Sequence, residues 1–224
     1  MAIRNIIFLL LFTLLNFKVQ AQIKPILYGG IDYYRDKGFE ENAYVNFNIG
    51  TQLFKWNFIA PEIGYEHYYG LVNENNEMNP NDPNARAPSK LKTRYSTNSL
   101  SLAPKLIFGN KEAALVVIPQ YNFGEIKVRG DLLKDTGKQY VLDDQQKISE
   151  SISYLSIAAG VEGQFFESEV LHFSLFLKYN FLNSSKILEK IEIPQSRLNS
   201  NGGSAEGLGL GFRIYFDLIE LLKQ

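Results

Sequence analysis

The chain has 224 residues, no cysteine and a net charge of −1. Without cysteine there are no disulfides, no thiolate metal sites and no lipidated N-terminal cysteine. A charge this close to zero supplies no general attraction to nucleic acid, so no nucleic-acid partner is expected.

The first residues have the pattern of an export signal. Arg4 gives a positive start, Ile6 to Leu15 form an apolar run, and Val19-Gln20-Ala21 ends in small or compact residues. Cleavage after Ala21 is expected. The run is too short to span a membrane as a helix, which takes about 20 apolar residues. Residues 1–21 are therefore read as a signal peptide and residues 22–224 as one domain. No later apolar run could cross as a helix, so a membrane location would have to be achieved with strands.

Eight segments with strand character follow, at about 26–35, 42–54, 56–69, 94–109, 113–129, 148–166, 169–183 and 204–217. In the second, Val45, Phe47, Ile49 and Leu53 alternate with Asn46, Asn48, Gly50 and Gln52. In the fourth, Leu100, Leu102, Leu106 and Phe108 oppose Ser99, Ser101, Ala103 and Lys105. In the seventh, Leu171, Phe173, Leu175, Leu177, Tyr179 and Phe181 alternate with His172, Ser174, Phe176, Lys178 and Asn180. In the eighth, Leu208, Leu210, Phe212, Ile214 and Phe216 alternate with Gly207, Gly209, Gly211, Arg213 and Tyr215. Period-two alternation of this length marks strands with one apolar and one polar face. The connections alternate too. Phe54-Lys55-Trp56, Gly109 to Glu112 and Phe166 to Glu169 are short, whereas 36–41, 70–93, 130–147 and 184–203 are long and read as loops. Short turns at one end and longer loops at the other are the pattern of an all-β, eight-stranded antiparallel up-and-down transmembrane β-barrel, with both termini on the short-turn, periplasmic side.

The composition of the polar face separates a membrane barrel from a soluble one. It carries Asp32, Glu62, Glu66, Lys105, Gln120, Glu162, Lys178 and Arg213 among Gly30, Gly50, Gly64, Gly160, Gly209 and Gly211. Charges of both signs among glycines suit a narrow lumen, where eight strands leave room only for side chains. Glu62, Lys105, Glu162 and Arg213 are the candidate lumen network, with Glu62–Lys105 and Glu162–Arg213 the expected ion pairs. Tyr33, Tyr65, Phe108, Phe165, Tyr179, Phe181 and Phe216 fall on the other face near segment ends, as interfacial girdles would. Pro61, Pro104 and Pro119 should share one level on three adjacent strands, facing outward. A proline cannot donate to a ladder, so the strands are expected to bulge or break there.

The final strand, Gly209-Leu210-Gly211-Phe212-Arg213-Ile214-Tyr215-Phe216, carries a resemblance that extends over the mature chain. The sequence is similar to the small outer-membrane β-barrel family that includes the OmpA transmembrane domain, OmpX and PorT-like proteins. The resemblance implies that Gly211, Ile214 and Phe216 form the signal read by the barrel-assembly machinery. The tail from Asp217 to Gln224 departs from the family pattern by continuing past the terminal aromatic. The family has diverse activities, so the resemblance implies location and fold more than function.

Residues that could carry chemistry give weak signals. Gly207, Gly209 and Gly211 lie within a strand and do not lead into a helix, unlike a dinucleotide loop. His172 and Ser174 share a face and resemble the His-x-Ser pair of outer-membrane lipid A deacylases, but that face points to the lumen. The oxygen-rich stretch from Asn73 to Asp82 lacks the spacing of a calcium loop. Neither catalysis, a cofactor nor a metal is expected. The leading expectation is a structural or interaction barrel in the outer membrane, with loops exposed at the cell surface. Its expected partners are outer-membrane lipid and lipopolysaccharide, the assembly machinery and an envelope protein. The alternatives are a narrow channel or transport accessory, and a lipid A-modifying enzyme.

Overall fold

In the computed structural model the strands are β1 (Gln22–Asp36), β2 (Ala43–Lys55), β3 (Ile59–Asn76), β4 (Ser89–Gly109), β5 (Ala113–Asp135), β6 (Tyr140–Gln164), β7 (Leu171–Asn180) and β8 (Gly207–Asp217). The structure describes residues 22–36, 43–77, 82, 85–164, 168, 170–194, 198 and 204–222. The signal segment 1–21, the link 37–42 and the stretch 199–203 lie outside these residues, as does Phe165 of the expected girdle.

Each strand pairs antiparallel with the next, and β1 closes on β8, giving a closed eight-stranded barrel. Closure leaves no sheet edge, so every strand has hydrogen-bonding partners on both sides. The apolar members of each alternation face outward: Ile49 is 64% exposed and Leu210 is 65% exposed. The polar members face inward, and Asp32, Glu66, Lys105, Lys178 and Arg213 are all buried. That inversion leaves an apolar outer surface that only a lipid environment satisfies.

Two of the expected long loops are in large part strand. The 70–93 link contains the end of β3, which runs to Asn76, and the start of β4 at Ser89; the 130–147 link is largely β5 and β6. The oxygen-rich stretch beginning at Asn73 is in part this extension. β5 and β6 have 23 and 25 residues, more than twice the roughly 9–11 needed to cross a bilayer. Beyond the lipid the outward face meets water and turns polar, as at Lys90, Lys92 and Arg94, so the apolar–polar alternation fades while the backbone ladder continues and the inner face stays buried at Leu91 and Leu132. This is why polar sequence concealed the strands. The β5–β6 hairpin turns at Gly137, which adopts a positive φ of 83°. The Asp135 carboxylate accepts from the Gly137 amide at 3.0 Å.

The short turns also depart in detail. The β2–β3 turn lies at Asn57-Phe58, not at Phe54 to Trp56. Trp56 and Ile59 exchange backbone hydrogen bonds of 2.8 and 2.9 Å around it. Asn57 has φ 55°, a left-handed conformation its short polar side chain tolerates. In the β4–β5 turn the Asn110 side chain accepts from the amides of Glu112 and Ala113.

The prolines break no strand. Pro61 lies directly opposite Pro104. Pairing of Leu102 with Tyr121 and of Leu106 with Val117 places Pro104 opposite Pro119 with no register shift. The three prolines share one level, as expected, but the expected bulge or break is absent. The β4–β5 ladder instead skips residues 103–105 and resumes in the same register, because neither proline has an N–H to offer.

The 181–194 segment does not extend as a surface loop. It contains a single helical turn, α1 (Ser185–Leu188), and buries Leu182, Ile187, Leu188, Ile191 and Ile193 in the barrel mouth. The C-terminal tail forms another turn, α2 (Leu218–Leu221). The Asp217 carboxylate caps it by accepting from the amides of Ile219 and Glu220.

Candidate functional site in the barrel lumen

The lumen is built in three levels, and the strand register sets each one. At the turn end the amine of Lys105 on β4 lies 2.5 Å from the carboxylate of Glu162 on β6 and 3.6 Å from that of Glu62 on β3. It also sits 3.8 Å from the centre of the Tyr215 ring. Arg213 on β8 reaches across the lumen to Glu62 at 3.0 Å and Glu66 at 3.6 Å. Its guanidinium lies over the Tyr28 ring at 4.6 Å. The Tyr215 hydroxyl donates to the second oxygen of Glu62 at 3.1 Å.

Glu62 and Lys105 are therefore adjacent, but the other expected pair is corrected. Glu162 pairs with Lys105, and Arg213 is held by Glu62 and Glu66. Although Arg213 and Glu162 flank the same strand, β7, they lie at the same level as Ser174, whose small side chain stands between them. The long arginine side chain extends instead across the lumen to β3.

The middle level contains a pair that sequence patterning did not identify. The Lys178 amine donates to Asp32 at 2.6 Å, linking β7 to β1. Asn46 donates to Asp32 at 2.7 Å and also to Glu66, and Asn48 donates to Asp32 at 3.2 Å. Gln120 donates to Glu66 at 2.8 Å and accepts from Arg213 at 3.4 Å, joining the two levels. A charge taken out of water costs several kcal/mol unless it is paired and hydrogen-bonded. Here acids and bases from six of the eight strands interlock, and the amides of Asn46 and Asn48 on β2 and Gln120 on β5 join them.

Glycines make this crowding possible. A Cβ on Gly211 would lie 2.3 Å from the Asp32 carboxylate, and one on Gly64 would lie 2.3 Å from the Tyr28 hydroxyl. Gly211 thus has a packing role inside the barrel. Ile214 and Phe216, which alternate with the lumen residues, lie on the outer wall; Phe216 is 44% exposed.

The loop-end level is aromatic. Tyr34 and Tyr44 stack at 4.7 Å, and Tyr68, Tyr95 and Tyr154 complete the layer. The 181–194 segment packs onto these rings through Leu182, Ile187, Leu188 and Ile191. Tyr44 donates to the Ala205 carbonyl at 2.7 Å and so ties down the chain just before β8. The signal was present in the sequence, since these tyrosines share parity with the charged face, but composition alone assigns tyrosine to membrane girdles.

The lumen opens at the turn end into a basin of about 450 Å³ with Lys105, Glu162 and Tyr215 among its lining residues. His172 also lines it, whereas the Ser174 hydroxyl is engaged with Glu162 at 2.7 Å. Among the described residues no group of three or more His, Asp or Glu side chains is placed to hold a metal.

A closed ring of eight antiparallel strands, apolar outside and charged inside, now stands complete. This is the architecture of an outer-membrane β-barrel. No protein-family model and no curated protein matches the chain. Solved structures similar to it include Neisserial surface protein A, at 9% identity and a TM-score of 0.47, covering 88% of this chain and 99% of that one. Another is the N-terminal β-barrel domain of Pseudomonas aeruginosa OprF, at 12% identity and a TM-score of 0.38, covering 88% and 98%. A third is Ail, the attachment invasion locus protein of Yersinia pestis, at 10% identity and a TM-score of 0.34, covering 87% and 96%. The assignment of fold rests on this chain's own ladder and on the polarity of its two faces.

Proposed function

We propose that the protein is a closed structural and interaction barrel of the outer membrane, holding a rigid set of hairpins above the lipid and conducting nothing. The observation that carries this reading is the filled lumen. Two levels of interlocked charge and a tyrosine layer capped by the 181–194 segment occupy it in series, so that opening any one leaves the others in place. The strands β3 to β6 stay paired past the lipid, with single irregularities between Leu71 and Asn73 and between Leu132 and Leu133, which provides a platform for a partner in the envelope or at the cell surface. In this reading the loop end faces outward, both termini face the periplasm, residues 1–21 are removed on export, and Gly211, Ile214 and Phe216 guide insertion by the assembly machinery. Outer-membrane lipid and lipopolysaccharide surround the wall.

Planar-bilayer recording of the purified protein tests the proposal. The expected result is a bilayer with no discrete conductance steps. Steps that persist across preparations and vanish on heat denaturation would sink it in favour of the narrow channel.

A further inference from the structure

The ring itself has no edge, but β6 rises above it on one side. β6 pairs with β5 from Tyr140 to Gly163, yet with β7 only from Ser156 to Gln164. β7 stops at Asn180, where the chain turns into the lumen and the Asn180 side chain accepts from the Leu182 amide at 3.2 Å. The last backbone bond on that side runs from the Phe181 amide to the Leu155 carbonyl, at 3.0 Å. Backbone groups alternate sides along a strand, so Lys147, Ser149, Ser151 and Ser153 direct theirs to the same side as Leu155. None of the four has a backbone partner there among the described residues. The result is an open sheet edge about 20 Å long at the usual rise per residue.

This edge stands above the apolar wall, with Ser151 level with Glu125 on β5 and Asn98 on β4. From inside, the 181–194 segment holds the side chains of β6 and leaves the backbone edge open. The Glu192 amide donates to the Gln146 side chain at 2.7 Å, and Lys190 pairs with Glu150. Ile148 and Ile152 are partly buried against the same segment. The charge beside the edge selects what can pair with it. Lys147 lies opposite Arg129, and Arg129 opposite Arg94. Asp131 takes Arg129 at 2.7 Å, but neither Arg94 nor Lys147 has a carboxylate partner among the described residues. A second copy of this edge would add cations to cations, and like charges on paired strands repel. A lysine on an edge is a common guard against such self-pairing. An acidic side chain on an added strand would instead neutralise Lys147.

We propose that the free Lys147–Ser153 edge of β6 takes one added strand, an extended acidic segment of a protein at the cell surface. Its backbone continues the sheet, its carboxylates face outward toward Lys147, and alternate aliphatic side chains lie inward beside Ile148 and Ile152. This rests on the reading of the loop end as an outward platform for a partner.

The test uses the folded full-length barrel in neutral detergent and short labelled peptides that alternate valine with glutamate or valine with lysine. The glutamate peptide is expected to bind about tenfold or more tightly than the lysine peptide. Two further glutamate peptides carry backbone N-methyl groups, one on its valines and the other on its glutamates. One methylated set faces β6 and the other faces solvent, so one of the two peptides should lose binding and the other keep it. Ser151→Pro removes an amide that points only to the free edge, so it should weaken the glutamate peptide about tenfold without disturbing the β5 ladder. Lys147→Gln should erase the preference for glutamate over lysine. Heat-modifiable migration shows that each variant is folded. Binding of both methylated peptides would mean charge attraction without strand addition and would overturn the proposal. So would equal affinity for the glutamate and lysine peptides, or undiminished binding in Ser151→Pro. Orientation is read separately. Because the chain has no cysteine, Lys138→Cys offers a single thiol for a membrane-impermeant label on whole cells. Failure to label there refutes the outward platform but not the strand addition measured in detergent.

Discussion

At the scale of single residues, the lumen is governed by the cost of burying charge. Asp32 and Lys178 are each buried and 2.6 Å apart, on strands that are far apart in sequence. Removing one partner leaves a buried charge with only amide contacts. Lys178→Met is expected to destabilise the barrel by about 3–5 kcal/mol, the usual penalty for orphaning a buried ion. Asp32→Asn/Lys178→Met removes both charges and should recover most of that loss. Urea unfolding of the barrel in lipid vesicles measures both. A double variant no more stable than Lys178→Met would show that the pair is not coupled as its geometry implies. Of the four proposed lumen residues, all four lie within one connected network at the turn end. The partners could not be read from the sequence, because alternation reports which face a side chain occupies and not how far across an enclosed lumen it reaches.

At the scale of elements, the proline level is a defect that the barrel carries without losing register. Pro61, Pro104 and Pro119 lie side by side, and the β4–β5 ladder lacks its pairings at residues 103–105. Amide exchange should therefore be faster in peptides covering 103–106 and 117–120 than in those covering 98–102 and 121–124. Uniform protection along β4 and β5 would mean that other bonds replace the missing ones. Expecting these strands to break was an error with a physical cause. A proline removes one donor, but the flanking residues on both neighbouring strands hold the chain in line, and closure allows no slippage. The 181–194 segment shows the opposite difficulty. Its apolar residues Ile187, Leu188 and Ile191 have helical spacing over a single turn only, which is too short to tell a lumen plug from a surface loop.

At the scale of the whole molecule, closure is the dominant source of stability. With β1 paired to β8, no strand can peel from an edge, and opening requires a full seam of hydrogen bonds to break in a medium without water. The folded protein should therefore resist detergent until boiled and migrate on gels at a different apparent mass before and after heating. Identical migration of the two samples would count against a closed ring.

Strand number, antiparallel order, inverted polarity and the level of the three prolines were all legible in the order of the residues. Each follows from a period of two and from the spacing of turns, which are properties of neighbouring residues. The pairing of Asp32 with Lys178 and of Lys105 with Glu162, the extension of β3 to β6 beyond the lipid, the tyrosine layer with its plug, and the alignment of Arg94 with Arg129 and Lys147 came only with the folded barrel. All of these depend on register around a closed ring or on reach across its lumen. Residues far apart in the chain meet there only because the barrel closes.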